Sequence, residues 1–271
     1  MIASGIKALW QNDKPAVNGW LSLGSAFAGE IMAAQGYDSV TVDIQHGVVD
    51  YQHAVGILQA MGASGVTPMV RVPWLDPAII MKVLDAGAYG VICPMVNTRV
   101  DAEKLVSFVR YAPAGVRSFG PTRANFSAGP GYATEANDQV LCFAMIETAE
   151  AMGNLHEIVA TPGLDAIYVG PADLTLSLAE GRLAPAFDRQ EPEMITAIKE
   201  ILSAAHSAGI KAGLHTGSAD YAAMAIGWGF DLVTISNDVR LLAGAAKISV
   251  DRVRELLSDE NIADRTAAGD L

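Results

Sequence analysis

Lysine is scarce in this chain of 271 residues. All of it is Lys7, Lys14, Lys82, Lys104, Lys199, Lys211 and Lys247. Only Lys211 falls on a predicted strand, at that strand's start. Carbonyl chemistry that runs through a Schiff base needs a lysine inside the catalytic mouth, and this pattern offers none. Cysteine is scarcer still: Cys93 and Cys142, both inside predicted strands, read as two reduced, buried thiols of a cytoplasmic protein. No uninterrupted apolar run is long enough to span a bilayer. Residues 1–17 lack the basic segment, apolar run and cleavage site of a secretory signal. Positive charge is also in deficit: 18 Lys and Arg face 30 Asp and Glu, a formal net charge of −12. Such a surface repels phosphate backbones and anionic lipid heads, which sets nucleic acid and membranes aside as partners. The same field repels an anionic small substrate, so a site for one needs its own local cation.

What is present in quantity is apolar material, 51% of residues against 18% charged, enough for one large core. Short β-rich runs alternate with longer helical stretches. Strands are predicted near residues 19–24, 39–44, 67–72, 90–95, 140–147, 166–170, 211–215 and 232–236. Helices are predicted over 26–35, 51–61, 76–87, 100–111, from 148 to about 160, over 191–208, from 216 to 227 and over 241–257. A loop rich in Gly, Pro and Arg covers 112–137, and a polar tail starts at about 258. Eight strand–helix pairs in one chain predict a single closed parallel (β/α)8 barrel domain over 1–271. The run Val140-Leu141-Cys142-Phe143-Ala144 is apolar throughout, as expected of a strand buried on both faces. A doubly wound open sheet competes. It would carry a Gly-rich phosphate turn after its first strand, and Leu23-Gly24-Ser25-Ala26-Phe27-Ala28-Gly29 matches that poorly. No nucleotide cofactor is therefore expected.

In such a barrel, chemistry collects where strands end. Strand two ends Asp43-Ile44-Gln45-His46, strand three Val70-Arg71-Val72-Pro73, strand five Met145-Ile146-Glu147-Thr148 and strand six Gly170-Pro171-Ala172-Asp173. Strands seven and eight end in His215-Thr216 and Ser236-Asn237-Asp238. Alternation along a strand puts Met145 with Glu147, Met69 with Arg71, and Asp43 opposite Val42 and Ile44. Each residue also has a plainer reading. Glu147 and Asp173 could cap helices or form ion pairs; two carboxylates at adjacent strand ends favour a hard cation instead. His46 could be a hydrogen-bonded rim residue, and Arg71 could simply pair with Asp43. His215 and Asp238 read as rim or packing residues, Trp20 as core or pocket wall, and Met145 as core.

The segments Val42-Asp43-Ile44-Gln45-His46-Gly47, Val70-Arg71-Val72-Pro73, Leu84-Asp85-Ala86-Gly87-Ala88, Val91-Ile92-Cys93-Pro94-Met95-Val96, Gly115-Val116-Arg117, Met145-Ile146-Glu147-Thr148 and Tyr168-Val169-Gly170-Pro171-Ala172-Asp173-Leu174 follow one another in a characteristic order. In that order and spacing, from residue 19 to about 257, the chain resembles the HpcH/HpaI aldolase family of metal-dependent pyruvate aldolases. The resemblance implies a TIM barrel of the phosphoenolpyruvate/pyruvate type and a divalent ion (Mg2+, Mn2+ or Co2+) held by Glu147 and Asp173. It implies His46 as catalytic base with Asp43 as its dyad partner, and Arg71 beside the substrate keto oxygen. Asp85 matches an acidic residue that reaches the site from a neighbouring subunit, and Trp20 an aromatic pocket wall. Gly170, Pro171, Ala172 and Asp173 match the turn that binds the substrate carboxylate. Relatives form hexamers, trimers of dimers in which the last helix is exchanged between subunits. Two departures stand near the ion: Gln45 where the family often has Glu, and Met145 where it often has Gln. The implied reaction is reversible aldol cleavage of 4-hydroxy-2-oxo acids to pyruvate or hydroxypyruvate and an aldehyde. An acyl-CoA ester lyase of the malyl or citramalyl type is the alternative, with Arg110, Arg117 and Arg123 as its basic groove. A non-catalytic barrel is the third reading. The aldehyde pocket is expected in the 112–137 loop, with Arg117, Phe119 and Arg123.

Overall fold

A computed structural model describes residues 2–258; the expected polar tail lies outside them, save its first residue. Eight parallel strands pair in chain order and close on themselves. Chain order runs α1 (Gly5–Trp10), β1 (Ala16–Leu21), α2 (Ala26–Ala33), β2 (Ser39–Asp43), α3 (Tyr51–Ala60), β3 (Thr67–Arg71), α4 (Pro77–Asp85), β4 (Gly90–Cys93) and α5 (Arg99–Val109). It continues α6 (Ala124–Ser127), α7 (Tyr132–Gln139), β5 (Leu141–Ile146), α8 (Ala149–Gly153), α9 (Leu155–Val159), β6 (Ala166–Val169) and α10 (Pro171–Leu178). It ends α11 (Pro192–Ser207), β7 (Lys211–Thr216), α12 (Ala219–Trp228), β8 (Leu232–Ile235) and α13 (Asp238–Ser258). This is the (β/α)8 barrel that the alternation predicts.

Strand alternation divides the apolar side chains into two cores. Trp20, Met69, Ile92, Phe143, Met145 and Tyr168 fill the barrel, and Ile6 and Trp10 of α1 plug its lower end. Val42, Val70, Cys93, Cys142, Ile146 and Val169 point outward into the layer between barrel and helices. Both cysteines are free and buried. A polar layer also sits inside the barrel: Asn18 Oδ1 accepts from the hydroxyls of Ser39 and Thr41, and its amide donates to Thr234.

Several expectations need correction. The first strand starts at Ala16 and ends at Leu21, so residues 22–24 belong to the loop that follows. The 112–137 stretch is not loop throughout, because α6 and the start of α7 fall inside it. The buried residues of α7 are only Tyr132 and Ala136, too few for a visible apolar period. α10 was hidden by its own start, where Pro171 occupies the first turn, a place that tolerates the missing N–H. Helix α1 was not predicted at all.

Candidate active site

At the C-terminal ends of the strands lies a cavity of about 420 Å³, lined by side chains of β1, β2, β3, β5 and β7 and by the loops beyond β1, β2, β5, β6 and β8. Its polar residues include Asp43, His46, Arg71, Glu147, Asp173 and His215. No lysine is among its lining residues. A second cavity of about 460 Å³ opens at the strand starts, but Asp231 there is already engaged by Lys211 and His206. Chemistry on this fold belongs at the first end.

Asp43 organises one side of the pocket. Its carboxylate accepts from Arg71 Nε at 2.9 Å and Nη2 at 2.6 Å, a two-pronged pair. It also accepts from Trp20 Nε1 at 3.3 Å and from the main-chain N–H groups of Gln45 and His46. Burial raises its pKa, but Arg71 and the hydrogen bonds outweigh burial and leave it below the usual carboxylate value. Asp43 therefore holds the main chain of His46 and the guanidinium of Arg71, whereas a dyad with the His46 ring was expected. The imidazole of His46 is exposed at the mouth. The guanidinium of Arg71 also lies over the Trp20 ring, 4.8 Å from its centroid.

Glu147 faces Arg71 and Asp173 from the other side. It is almost fully buried just beyond β5. Burial and the charge of Asp173 push its pKa up to about 7, against the opposing pull of the Met95 N–H and Arg71. Met95 donates that N–H to Glu147 Oε1 at 2.8 Å and itself sits in the left-handed backbone region, φ 55°. Gly170 makes room on the far side: a Cβ there would stand 2.6 Å from Glu147 Oε2. Asp173 is exposed in the first turn of α10. Among the described residues no three His, Cys, Asp or Glu side chains converge as a metal cluster. Two carboxylates facing one pocket, Glu147 with its proton affinity raised, nevertheless fit a divalent ion, which commonly takes one or two carboxylates plus water.

Of the expected residues, Trp20, Asp43, His46, Arg71, Glu147, Gly170, Ala172 and Asp173 line the pocket. Pro171 adjoins it as the first residue of α10. Gln45 does not line it; its Oε1 is buried without a hydrogen-bond partner. Asp85 lies elsewhere, where it pairs with Arg117 at 2.7 Å. Arg123 binds the carbonyls of Ala86 and Leu58, and Arg110 pairs with Asp165 at 2.5 Å. Phe119 is exposed, so the residues expected to take the aldehyde stand outside this chain's own pocket. Sequence reading missed Phe187 and Arg240, placed Asn237 at a strand end without a role, and assigned His215 to rim or packing. Parity gave a signal for His215: Ala212 and Leu214 face the outer layer, so residues 213 and 215 face inward.

A family model described as HpcH/HpaI aldolase/citrate lyase matches residues 18–245. The chain belongs to this family, and it is a carbon–carbon lyase of the aldolase class. It is 41% identical over 251 residues to a hydroxypyruvate/pyruvate aldolase of Rhizorhabdus wittichii, covering 93% of this chain and 99% of that one. It is 33% identical over 247 residues to a 4-hydroxy-2-oxo-heptane-1,7-dioate aldolase of Shigella flexneri, covering 90% and 91%. A crystal structure of a family member from Burkholderia cenocepacia superposes with a TM-score of 0.84 at 33% identity, covering 93% of this chain and 99% of that one. No helix among the described residues is long and apolar enough to cross a membrane.

Proposed function

We propose that the chain is a divalent-metal-dependent aldolase. It cleaves and forms 4-hydroxy-2-oxo acids, with pyruvate or hydroxypyruvate as the donor and an aldehyde as the acceptor. The observation that carries this reading is the convergence of Glu147, Asp173, Arg71 and His46 on one pocket at the strand ends. Glu147 and Asp173 would hold Mg2+, Mn2+ or Co2+, which polarises the donor's keto group when bound. Main-chain N–H groups in the first turn of α10 suit the donor carboxylate. Arg71, aimed by Asp43, stands where it can stabilise negative charge growing on the keto oxygen. His46, free at the mouth, takes a proton from the methyl or hydroxymethyl carbon, directly or through a water. The carbanion then adds to the aldehyde carbon, and the aldehyde oxygen takes up the proton that His46 removed, directly or through water; cleavage reverses the order. Arg71 and the ion also supply the local positive charge that an anionic substrate needs in a chain of net charge −12.

The acyl-CoA alternative loses its footing because Arg110, Arg117 and Arg123 all pair inward. In quaternary terms, α13 leaves Leu241, Leu242, Ile248, Val253 and Leu256 exposed, which supports a homo-oligomer, a hexamer built as a trimer of dimers, in which this helix packs on a partner.

The test is pyruvate release from racemic 4-hydroxy-2-oxo acids, with and without EDTA, on wild type and Glu147→Ala. Metal-dependent release that vanishes in the variant is expected. Release that survives both EDTA and the substitution would sink the metal-dependent reading.

A further inference from the structure

The pocket contains a polar group that the reaction described above does not use. His215, at the end of β7, is buried and lines the cavity. Its Nδ1 lies 3.1 Å from the Tyr168 hydroxyl, which lies 2.6 Å from Thr234 Oγ1. Thr234 Oγ1 in turn accepts the Asn18 amide at 2.9 Å, while Asn18 Oδ1 is saturated by the hydroxyls of Ser39 and Thr41. Either hydroxyl of the Tyr168–Thr234 pair can donate, but among the described residues the Tyr168 oxygen is the one partner left for the Thr234 proton, which favours one direction. Thr234 receives a proton from Asn18 and passes its own to the Tyr168 oxygen, and Tyr168 passes its own to Nδ1. The imidazole is thereby fixed as the tautomer with its proton on Nε2. Burial also holds its pKa down to about 3, so it stays neutral in ordinary buffers. Nε2 is itself buried and has no hydrogen-bond partner.

A buried donor left unmet is costly unless a ligand meets it. The setting says which part of a ligand that is. The His215 ring stands edge-on to Trp20 at 4.7 Å and beneath Phe187 at 4.5 Å. The guanidinium of Arg71 lies over that same Trp20 ring. Arg71 and His215 therefore stand against one ring in the wall of the same pocket. If Arg71 holds the keto oxygen, the hydroxyl within reach of Nε2 is the one on the neighbouring carbon. We propose that His215 is a specificity residue whose Nε2–H donates to the 3-hydroxyl of the 2-oxo acid donor, so that the enzyme selects a hydroxylated donor, hydroxypyruvate, over pyruvate. Tyr168, Thr234 and Asn18 are positioning residues that fix its tautomer. This inference rests on the 2-oxo acid reading of the pocket.

The experiment titrates hydroxypyruvate and pyruvate separately into Mg2+-loaded protein by calorimetry, for wild type, His215→Leu and His215→Gln, with folding checked by circular dichroism. Wild type should bind hydroxypyruvate about 10-fold or more tighter than pyruvate, the discrimination expected when a buried donor loses its partner. His215→Leu should bring that ratio to within about 3-fold of unity with pyruvate affinity kept, whereas His215→Gln, which retains an N–H donor, should restore part of it. Tyr168→Phe should lower the ratio without touching pyruvate affinity. A ratio unchanged in His215→Leu overturns the proposal, as does a parallel loss of both affinities that Gln fails to rescue. The same samples are assayed for aldol turnover. A His215-dependent ratio without turnover would refute the aldolase reading and keep this one. Turnover with an insensitive ratio would do the reverse, and binding of neither acid would end both.

Discussion

Asp43→Asn is the most informative single substitution. The change keeps the shape of a side chain that is only 2% exposed and removes its charge. Asp43 accepts two hydrogen bonds from Arg71, one from Trp20 and two from the main chain of residues 45 and 46. An amide oxygen can retain some of these, but the NH2 group must face a donor. Breaking a buried pair from one side costs about 3–5 kcal/mol; the retained acceptor puts Asn near the lower end. At about 2–4 °C per kcal/mol for a chain of this size, Tm should fall by about 6–12 °C. Because Arg71 loses its orientation and the backbone of His46 loses an anchor, kcat should fall by about 10²–10³, the loss typical of one oxyanion-stabilising donor. Differential scanning calorimetry and a pyruvate-release assay read the two effects. A double-mutant cycle with Arg71→Lys adds a stricter criterion. If Asp43 acts through Arg71, the double variant should be little slower than either single one. A Tm within about 2 °C of wild type, or fully additive rate losses, would refute the assigned role. The sign with pH follows: a carboxylate whose folded pKa is depressed stabilises above its unfolded value of 3.8 and loses that contribution as pH falls through the folded one. The wild type should thus lose stability over the variant below about pH 4.

Three further outcomes follow. Gly170→Ala places a Cβ 2.6 Å from Glu147 Oε2 and 2.9 Å from Met145 Cε, so Mn2+ affinity by calorimetry should drop by about 10-fold or more, at a folding cost of about 1–3 kcal/mol. His215 stays neutral when folded, with a pKa of about 3, but charges near 6.5 when unfolded. Its contribution is full above pH 6.5 and fades toward pH 3, so the stability difference between wild type and His215→Gln should shrink by about 2 kcal/mol from pH 6.5 to 5 in urea titrations. Leu242→Glu puts a charge on the exposed apolar face of α13, and light scattering should show a smaller assembly than wild type; an unchanged mass would remove α13 from the interface.

What the sequence disclosed about the fold came from its strands. Their both-faces-buried runs, such as Leu141–Ile146, need no tertiary knowledge to recognise. Carboxylates and cations at their ends were legible for the same reason, since Asp43, Arg71 and Glu147 each stand at or just after a strand terminus. The partnership between them was not. Whether Asp43 turns to the His46 ring or to Arg71 depends on the parallel register that sets Asp43 beside Arg71. His215 was passed over because its value lies in Tyr168 and Thr234, side chains 47 and 19 positions away that meet it only inside the barrel. Gln45 and Asp85 stand in familiar sequence contexts, yet neither lines the pocket of its own chain.

The hydrogen bond between Met95 and Glu147 bears on which ions this site can tolerate. Oε1 is engaged by the N–H of a residue in a backbone conformation that non-glycine residues seldom adopt. An ion gripped by both oxygens would have to share Oε1 with the Met95 N–H, which competes for that oxygen's electron density. Oε2 carries no such main-chain bond and would be the readier oxygen for the proposed ion. Small ions with short bonds and six ligands accept a single carboxylate oxygen; Ca2+, with six to eight ligands and a habit of bidentate carboxylates, gains less from it. If Glu147 holds an ion as proposed, the main chain just beyond β4 bears on the choice of ion through a residue that need never touch it.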